Sequence, residues 1–274
     1  MFTRGYTFAC LLLFAGSFSP VCSLEDPPLD SLAQATVRIN RSLFPIVCGQ
    51  VAQPGNRFSA VSIAGTGMFV DSRGHFITAS HVIRERFSRS QQQPNGCFPA
   101  IYIPRNGWET GTRSFDANWF KFRDCVSDQA MDVAVCQTVG NPFALSSSLQ
   151  ISFVQFAEVS PESGTPVAFT GFPMQAREPV TTPSRIVRLE TTGNVTSWVI
   201  RGEGNDEPPW PGSSGSPVYL ADGKVIGIIL RRGIEENSGL AFALSASAIR
   251  SFLTNHQLVN SGGAGKRQHA APSE

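Results

Sequence analysis

The sequence has almost no net charge, and it has no long hydrophobic run after its N-terminal end. Lysine and arginine total 22, against 21 acidic residues. This balance gives no electrostatic reason to expect nucleic acid or an anionic membrane surface as a partner. No later stretch approaches the ~20 consecutive apolar residues that a transmembrane helix needs. The sequence therefore predicts neither a nucleic-acid-binding protein nor a membrane-spanning one.

The N-terminal residues have the features of a secretory signal. Arg4 precedes an apolar stretch at 8–16, which is too short to span a bilayer. Cleavage after Ser23 satisfies the small-residue rule, whereas a lipid anchor on Cys22 is disfavoured because the residues before it match a lipobox poorly. We therefore expect a signal peptide at 1–23, a leader at 24–34 and a soluble protein exported to the periplasm or the extracellular space. The glycine-rich end, 259–274, is expected to be disordered.

Cysteine is sparse as well, and its spacing does not fit a zinc cluster. An even number of cysteines remains after the signal, and in an exported protein this suggests up to two disulfides. Four cysteines permit three pairings, which the sequence cannot rank, and a free buried thiol at Cys136 is an alternative. The candidates are Cys48, Cys97, Cys125 and Cys136. No metal or other cofactor is expected.

Turn-forming residues are plentiful, with 25 glycines and 19 prolines between short runs of Val, Ile and Phe. This composition favours an all-β chain, and about 250 residues fit one large unit. We expect the first strand at 35–39, a crossover between two halves at 141–150, and a short helix after Ser245, which is a good N-cap. The predicted domain covers 35–258.

A glycine-bracketed serine cluster at 211–217 is the strongest chemical feature of the chain. Ser214 on a tight turn is a candidate nucleophile, and Gly212 lets the backbone bend so that the N–H groups of Gly212 and Ser214 point at one spot, an oxyanion hole. A flexible surface loop is the alternative. A serine hydroxyl needs a base to become reactive, so the hypothesis requires a histidine.

Only four histidines are available, which narrows the search. His269 lies in the polar tail, His256 ends the C-terminal helix as a cationic cap, and His75 sits beside a turn, where we expect it to be solvated. His81 closes the second strand of a predicted hairpin and is the candidate base. The base in turn needs a group that orients it. Asp132 heads a strand-like run and needs partners if buried, which makes it the candidate for that third role. A turn cap is the alternative for Asp132.

Three motifs now stand in a fixed order: Thr-Ala-Ser-His ending at His81, Asp-Val-Ala-Val beginning at Asp132, and Gly-Ser-Ser-Gly-Ser-Pro around Ser214. In this order the sequence resembles the chymotrypsin-like serine peptidases, and most closely their bacterial HtrA-type and stand-alone trypsin-like members. The Gly-Thr-Gly-Met-Phe-Val segment at 65–70 and the Gly-Thr-Pro segment at 164–166 strengthen the resemblance, which runs from about 65 to 253.

The resemblance implies an all-β fold of two six-stranded antiparallel β-barrels, at about 35–140 and 151–244, with a short C-terminal helix at about 246–256. It also implies a serine endopeptidase that works through an acyl-enzyme on a polypeptide substrate. The triad would be His81, Asp132 and Ser214, assembled at the seam between the barrels. There is no room for a PDZ domain, and a monomer is favoured. A catalytically silent binding protein and an esterase or acyl transferase are the alternatives.

The specificity pocket is the least defined part of the resemblance. It would lie between the segment before the nucleophile, with Pro208 nearest its base, and the strand after it, with Ile229, Leu230 and Arg231. No aspartate stands where trypsin-like enzymes hold a basic side chain, so a small or apolar preference is expected. Ser216 replaces the usual glycine, and Ser213 replaces the aspartate that pairs with a newly cut N-terminus, which argues against activation by that ion pair.

Overall fold

The computed structural model describes residues 31–52, 57–87, 95–102, 117–144, 150–173, 176, 178–203, 211–234 and 237–258. The predicted signal peptide, the C-terminal tail with His269, and Pro208 lie outside these residues. The helices are α1 (Leu32–Asn40), α2 (Ser80–Phe87) and α3 (Ala246–Asn255), with a 3-10 turn at Pro142–Ala144. No helix in the described part is long and apolar enough to cross a membrane.

The strands form two antiparallel units that follow each other along the chain. The first unit contains β1 (Leu43–Ala52), β2 (Arg57–Phe69), β3 (His75–Ala79), β4 (Asn95–Tyr102), β5 (Ala117–Trp119), β6 (Phe122–Asp128) and β7 (Val133–Thr138). The second contains β8 (Pro166–Gly171), β9 (Val180–Thr192), β10 (Val195–Gly202), β11 (Pro217–Tyr219), β12 (Val225–Arg232) and β13 (Leu240–Ser245).

The predicted all-β class is confirmed, and the second unit is a closed six-stranded barrel in the order β10-β13-β12-β11-β8-β9. The first unit differs in detail from the expected six-stranded barrel. Its described strands form a seven-stranded sheet in the order β5-β4-β1-β2-β3-β7-β6, a half-barrel that does not close. Closure removes sheet edges, and the described residues achieve it only in the second unit.

The two units share one hydrophobic core, and this shared core fixes how they meet. Met68 and Ile77 from the first sheet pack in the same cluster as Ile228 and Tyr219 from the barrel. The terminal helices add Ala35 and Ile39 from α1 and Ile249, Phe252 and Leu253 from α3. Because buried side chains interlock at close to crystal density, the seam between the units is held in one arrangement.

The prediction of a first strand at 35–39 is wrong, because this segment lies in helix α1. The Ser31 hydroxyl caps the helix by accepting the Gln34 N–H at 3.3 Å. Ala35 and Ile39, four residues apart, are both buried, which is the spacing of one helix face. The alternation of Ala-Thr-Val-Arg-Ile resembles a strand only if the cap before it is overlooked.

The strand that was predicted to end at His81 ends two residues earlier, at Ala79. Strand β3 pairs with β7 from His75 to Ala79, and Ala79 lies opposite Val133. Helix α2 begins at the next residue, Ser80. The Ser80 N–H donates to the Asp132 carbonyl oxygen at 3.0 Å. His81 therefore lies in the first turn of a helix, next to the residue that precedes β7.

Candidate active site

The serine cluster forms a tight turn that leads into β11. Gly212 and Gly215 have φ values of +100° and +88°, in the region that favours glycine. A Cβ on Gly212 would lie 2.3 Å from the Phe172 carbonyl oxygen, and one on Gly215 would lie 2.1 Å from the Thr66 carbonyl oxygen. Both glycines are therefore required by backbone conformation and by close packing, which a flexible surface loop would not impose.

The turn is anchored to both units. The Gly215 N–H donates to the Ile229 carbonyl oxygen at 2.7 Å, and the Ser216 N–H donates to the Ser213 carbonyl oxygen at 2.9 Å. From the first unit, the Thr66 N–H donates to the carbonyl oxygen of Ser214 at 2.8 Å. These bonds fix the position of Ser214 at the seam.

His81 reaches Ser214 from one side and Asp132 from the other. Its Nε2 lies 2.9 Å from the Ser214 Oγ, and its Nδ1 lies 2.7 Å from the Asp132 Oδ2. The second carboxylate oxygen, Oδ1, accepts the backbone N–H of His81 at 2.9 Å. The structure thus brings the three residues together in one hydrogen-bonded line.

The local backbone explains why Asp132 points towards the histidine. Asp132 has a φ of +52°, a left-handed conformation in which aspartate is more often found than most residues. Its side chain is 30 % exposed and that of His81 31 % exposed, so the pair lies at the surface of the seam, where a substrate has access.

The N–H groups of Gly212 and Ser214 make no hydrogen bond to any described residue. Unpaired backbone donors are normally satisfied by the protein or by water. Both N–H groups of the turn are therefore without a protein partner among the described residues.

Two disulfides lie within the first unit and remove the ambiguity in pairing. Cys48 on β1 bonds Cys97 on β4, and Cys125 on β6 bonds Cys136 on β7. Cys136 is therefore not a free thiol. The second disulfide ties down the strand that begins immediately after Asp132.

The specificity residues of the sequence analysis are partly brought to the site. A cleft of about 160 Å³ beside Ser214 is lined by Pro211, Ser213, Ser214, Ile229, Leu230, Arg231 and Arg232. The Arg231 guanidinium lies 4.2 Å from the centroid of the Phe242 ring, a cation–π contact that holds the side chain.

A second His–Asp pair lies at the other end of β3, in the turn from β2. The prediction that His75 is solvated is wrong, because its side chain is 12 % exposed and its Nδ1 lies 2.7 Å from the Asp71 Oδ2. Burial acts to raise the pKa of Asp71, but the hydrogen bonds from His75 and Arg73 outweigh it and hold the pKa below its usual value. Arg73 also donates to the Leu258 carbonyl oxygen at 2.9 Å, so this cluster ties the turn to the chain beyond α3.

No group of three or more potential ligands that could hold a metal ion occurs within the described ranges. The sequence analysis assigns no role to Thr66, whose main chain and side chain both contact the turn that carries Ser214. The available signal was a threonine between two glycines in the segment 65–67, a position where close backbone approach is common.

The fold and the site define a class: a half-barrel and a closed barrel with a Ser-His-Asp line at their seam are typical of trypsin-like peptidases. The family model of the trypsin-like peptidase domain matches residues 65–228, more than half of the chain. The chain therefore belongs to the trypsin-like peptidase family, as the motifs predicted.

Similar proteins include y4bJ of Sinorhizobium fredii, an uncharacterized protein. Its sequence is 27 % identical over 233 residues, and the match covers 78 % of this chain. The chain spans only 30 % of the length of that relative. Among solved structures, the active form of the Rv3671c protease from M. tuberculosis matches with a TM-score of 0.55 at 17 % identity, over 89 % of this chain and 93 % of that one. An inactive form of the same protease matches with a TM-score of 0.52 at 16 % identity, over 84 % and 93 %. These structural matches establish the shared fold.

Proposed function

We propose that the protein is an exported serine endopeptidase in which Ser214 is the nucleophile, His81 the general base and Asp132 the residue that orients the histidine. The observation that carries this proposal is the unbroken line of hydrogen bonds from Ser214 Oγ through the two nitrogens of His81 to Asp132, at 2.9 and 2.7 Å. Both distances lie within the range expected for a nucleophile, its base and the base's orienting group.

The bonding pattern supports one position for the proton on the imidazole. A carboxylate only accepts hydrogen bonds, so the Asp132 Oδ2 selects the tautomer in which the His81 Nδ1 carries the hydrogen. The Nε2 then has a free lone pair, which accepts the hydrogen of the Ser214 hydroxyl. The bond from the His81 backbone to the other carboxylate oxygen keeps Asp132 aligned for this role.

In the first half of the reaction, the Ser214 Oγ attacks the substrate carbonyl carbon and its proton moves to the His81 Nε2. The carbonyl oxygen becomes negatively charged, and the N–H groups of Gly212 and Ser214 are the donors that would stabilise it. As the carbon–nitrogen bond breaks, His81 gives the proton to the leaving amine. An acyl group then remains on Ser214.

In the second half, water replaces the amine. The His81 Nε2 takes one proton from the water as the oxygen bonds to the acyl carbon, and the same proton returns to the Ser214 Oγ when the ester bond breaks. The carboxylic acid product leaves, and the enzyme is restored. Asp132 stays a carboxylate and stabilises the imidazolium that forms twice in each cycle.

The cleft beside Ser214 favours a small or apolar side chain before the cleaved bond. The buried Ile229 and the half-buried Leu230 supply aliphatic wall. Arg231 is engaged with the Phe242 ring, which reduces its availability for an acidic side chain. Two disulfides fit an oxidising compartment outside the cytosol, in line with the predicted signal at 1–23.

The nucleophile is tested with a fluorophosphonate probe and a casein assay on the wild type, on Ser214→Ala and on Ser163→Ala. Ser163 is a matched control because it is exposed and is followed by a glycine, but has no glycine two residues before it. Among its described contacts, its hydroxyl donates only to the Val187 carbonyl oxygen. We expect labelling and casein cleavage by the wild type and Ser163→Ala, and neither by Ser214→Ala.

Equal labelling of the wild type and Ser214→Ala would remove the nucleophile assignment. Hydrolysis of simple esters without casein cleavage would replace the endopeptidase by an esterase. Export is tested separately by N-terminal sequencing of the protein secreted from a bacterial host, which should begin at Leu24; retention of residues 1–23 would contradict the signal assignment.

A further inference from the structure

Thr66 is fully buried on β2, opposite the turn that carries Ser214. Its backbone already holds that turn, since the Thr66 N–H donates to the Ser214 carbonyl oxygen at 2.8 Å. Its own carbonyl oxygen accepts the Thr78 hydroxyl at 2.8 Å, so the first unit fixes Thr66 from behind. The residue belongs to the first unit, but its hydroxyl forms hydrogen bonds with residues of the second.

The Thr66 hydroxyl uses its complete hydrogen-bonding capacity. It accepts the Phe172 N–H at 3.1 Å and the Ser216 hydroxyl at 3.3 Å. Both lone pairs of the oxygen are then occupied. Its single hydrogen is donated to the Gly212 carbonyl oxygen, 3.1 Å away. A backbone N–H can only donate and a carbonyl oxygen can only accept, which fixes the direction of the bonds with Phe172 and Gly212. Because the single hydrogen of Thr66 is then used, the Ser216 hydroxyl is the donor in the third bond.

One of these bonds is made to Gly212, whose N–H is one of the two oxyanion donors proposed above, and a second is made to Phe172, which packs against Gly212. The bond to its carbonyl oxygen fixes the peptide that follows Gly212. The bond to the Phe172 N–H holds the chain segment whose carbonyl oxygen packs against Gly212, at 2.3 Å from where a Cβ would be. One hydroxyl thus restrains Gly212 through its own peptide and through its packing partner.

We infer that Thr66 is a positioning residue that holds Gly212 in the conformation, φ +100°, in which its N–H faces the oxyanion. This inference rests on the proposed function. The Thr66 hydroxyl does not contact the Ser214 hydroxyl or the His81 ring in any described hydrogen bond, so the effect of this hydroxyl on the reaction passes through Gly212. Restraint of the donor before the reaction begins is the feature that makes oxyanion stabilisation effective.

The test compares Thr66→Val, Thr66→Ser and Thr138→Val. Valine has the shape of threonine without the hydroxyl, and serine keeps the hydroxyl. Thr138 is the matched control, since it is buried and its hydroxyl contacts the Gly74 and Gly140 carbonyl oxygens, away from the site. The substrate is p-nitrophenyl acetate, which requires an oxyanion hole but no specificity pocket.

For Thr66→Val we expect kcat to fall by about 10- to 100-fold, approaching the loss of an oxyanion donor, with KM within about twofold. Thr66→Ser should recover most of kcat, and Thr138→Val should match the wild type. A purely structural role would lower the melting temperature of both valine variants without separating their kcat values.

A second measurement does not depend on turnover. In protein labelled with [¹⁵N]glycine, the Gly212 amide resonance is assigned by its loss in Gly212→Ala. We expect that resonance to shift or broaden in Thr66→Val and to stay in place in Thr66→Ser and Thr138→Val. If Thr66→Val does not fold, Thr66→Ala replaces it in both measurements.

The outcomes separate the two proposals. An inactive wild type with an undisturbed fold overturns the proposed function. An active wild type, lost activity in Ser214→Ala and equal kcat in Thr66→Val and Thr138→Val overturn the role of Thr66 alone. An unchanged Gly212 resonance in Thr66→Val overturns it as well.

Discussion

Ser216 occupies a position where the resemblance leads one to expect glycine, and the structure predicts which partner makes this possible. Gly171, at the end of β8, is that partner. A Cβ on Gly171 would lie 1.8 Å from the Ser216 Oγ, 3.0 Å from the Ser216 Cβ and 2.7 Å from the Thr66 Oγ1. The space that a side chain at 171 would use is occupied by the serine. We therefore predict that the two positions are energetically coupled.

The magnitudes follow from the contacts. Gly171→Ala overfills a buried site and should lower the free energy of unfolding by roughly 2–3 kcal/mol. Ser216→Gly removes one neutral hydrogen bond, of about 1 kcal/mol, and adds backbone freedom of roughly 0.5–1 kcal/mol. In the double variant two of the three close contacts disappear, so the loss should be smaller than the sum by about 1–2 kcal/mol. Rescue is partial because the Thr66 hydroxyl remains.

The assay is urea unfolding of the four proteins with disulfides intact, followed by circular dichroism. Ser184→Gly in place of Ser216→Gly provides the control, because Ser184 is equally buried but bonds the Thr182 carbonyl oxygen on β9. Its combination with Gly171→Ala should be additive. Additivity of the Gly171 and Ser216 variants within about 0.5 kcal/mol would refute the reasoning.

Three further predictions concern the site and the stability of the fold. Gly212→Ala should reduce kcat by at least about 10²-fold in ester hydrolysis, because its Cβ meets the Phe172 carbonyl oxygen at 2.3 Å; wild-type kcat would contradict the oxyanion assignment. The folded-state pKa of Asp71 is lowered, so its stabilisation is complete above the ordinary carboxyl pKa and is lost as pH falls through the folded value. Urea midpoints of the wild type and Asp71→Asn should therefore differ at neutral pH and converge as the pH falls below the ordinary carboxyl pKa, and a constant difference would contradict this. Removal of the Cys48–Cys97 disulfide should destabilise the fold more than removal of Cys125–Cys136, because the sequence separations are 49 and 11 residues. Loop entropy gives losses of roughly 4 and 3 kcal/mol, respectively. Thermal unfolding of variants in which both cysteines of a pair are replaced by alanine tests this, and a reversed order would refute it.

The class of fold and the residues worth testing could be predicted from the amino-acid sequence alone. Ser214 stands out because two glycines bracket it, and the scarcity of histidine leaves few candidates for its base. Glycine at 212 and 215 reports a backbone conformation that other residues rarely adopt, so a tight turn is encoded locally. The strands that begin at Val133 and Val225 are also encoded locally, because their apolar runs are buried on both faces.

Local patterns failed where a cap or a distant partner decided the outcome. Residues 35–39 alternate like a strand, but the hydroxyl of Ser31 and the burial of Ala35 and Ile39 in the shared core make them helical. His75 lies beside a turn, where exposure is the usual expectation, yet its contact with Asp71 and its place in the sheet leave its side chain only 12 % exposed.

How these parts meet could not be predicted without the folded structure. Asp132 and His81 are 51 residues apart in sequence and Ser214 follows 133 residues after His81, so no local signal encodes their distances. The disulfide pairing and the contacts of Thr66 with Gly212 and Phe172 are likewise set by the seam between the units. The physical reason is that side-chain type and local propensity act over a few residues, whereas hydrogen bonds and packing across the seam exist only once the shared core has formed.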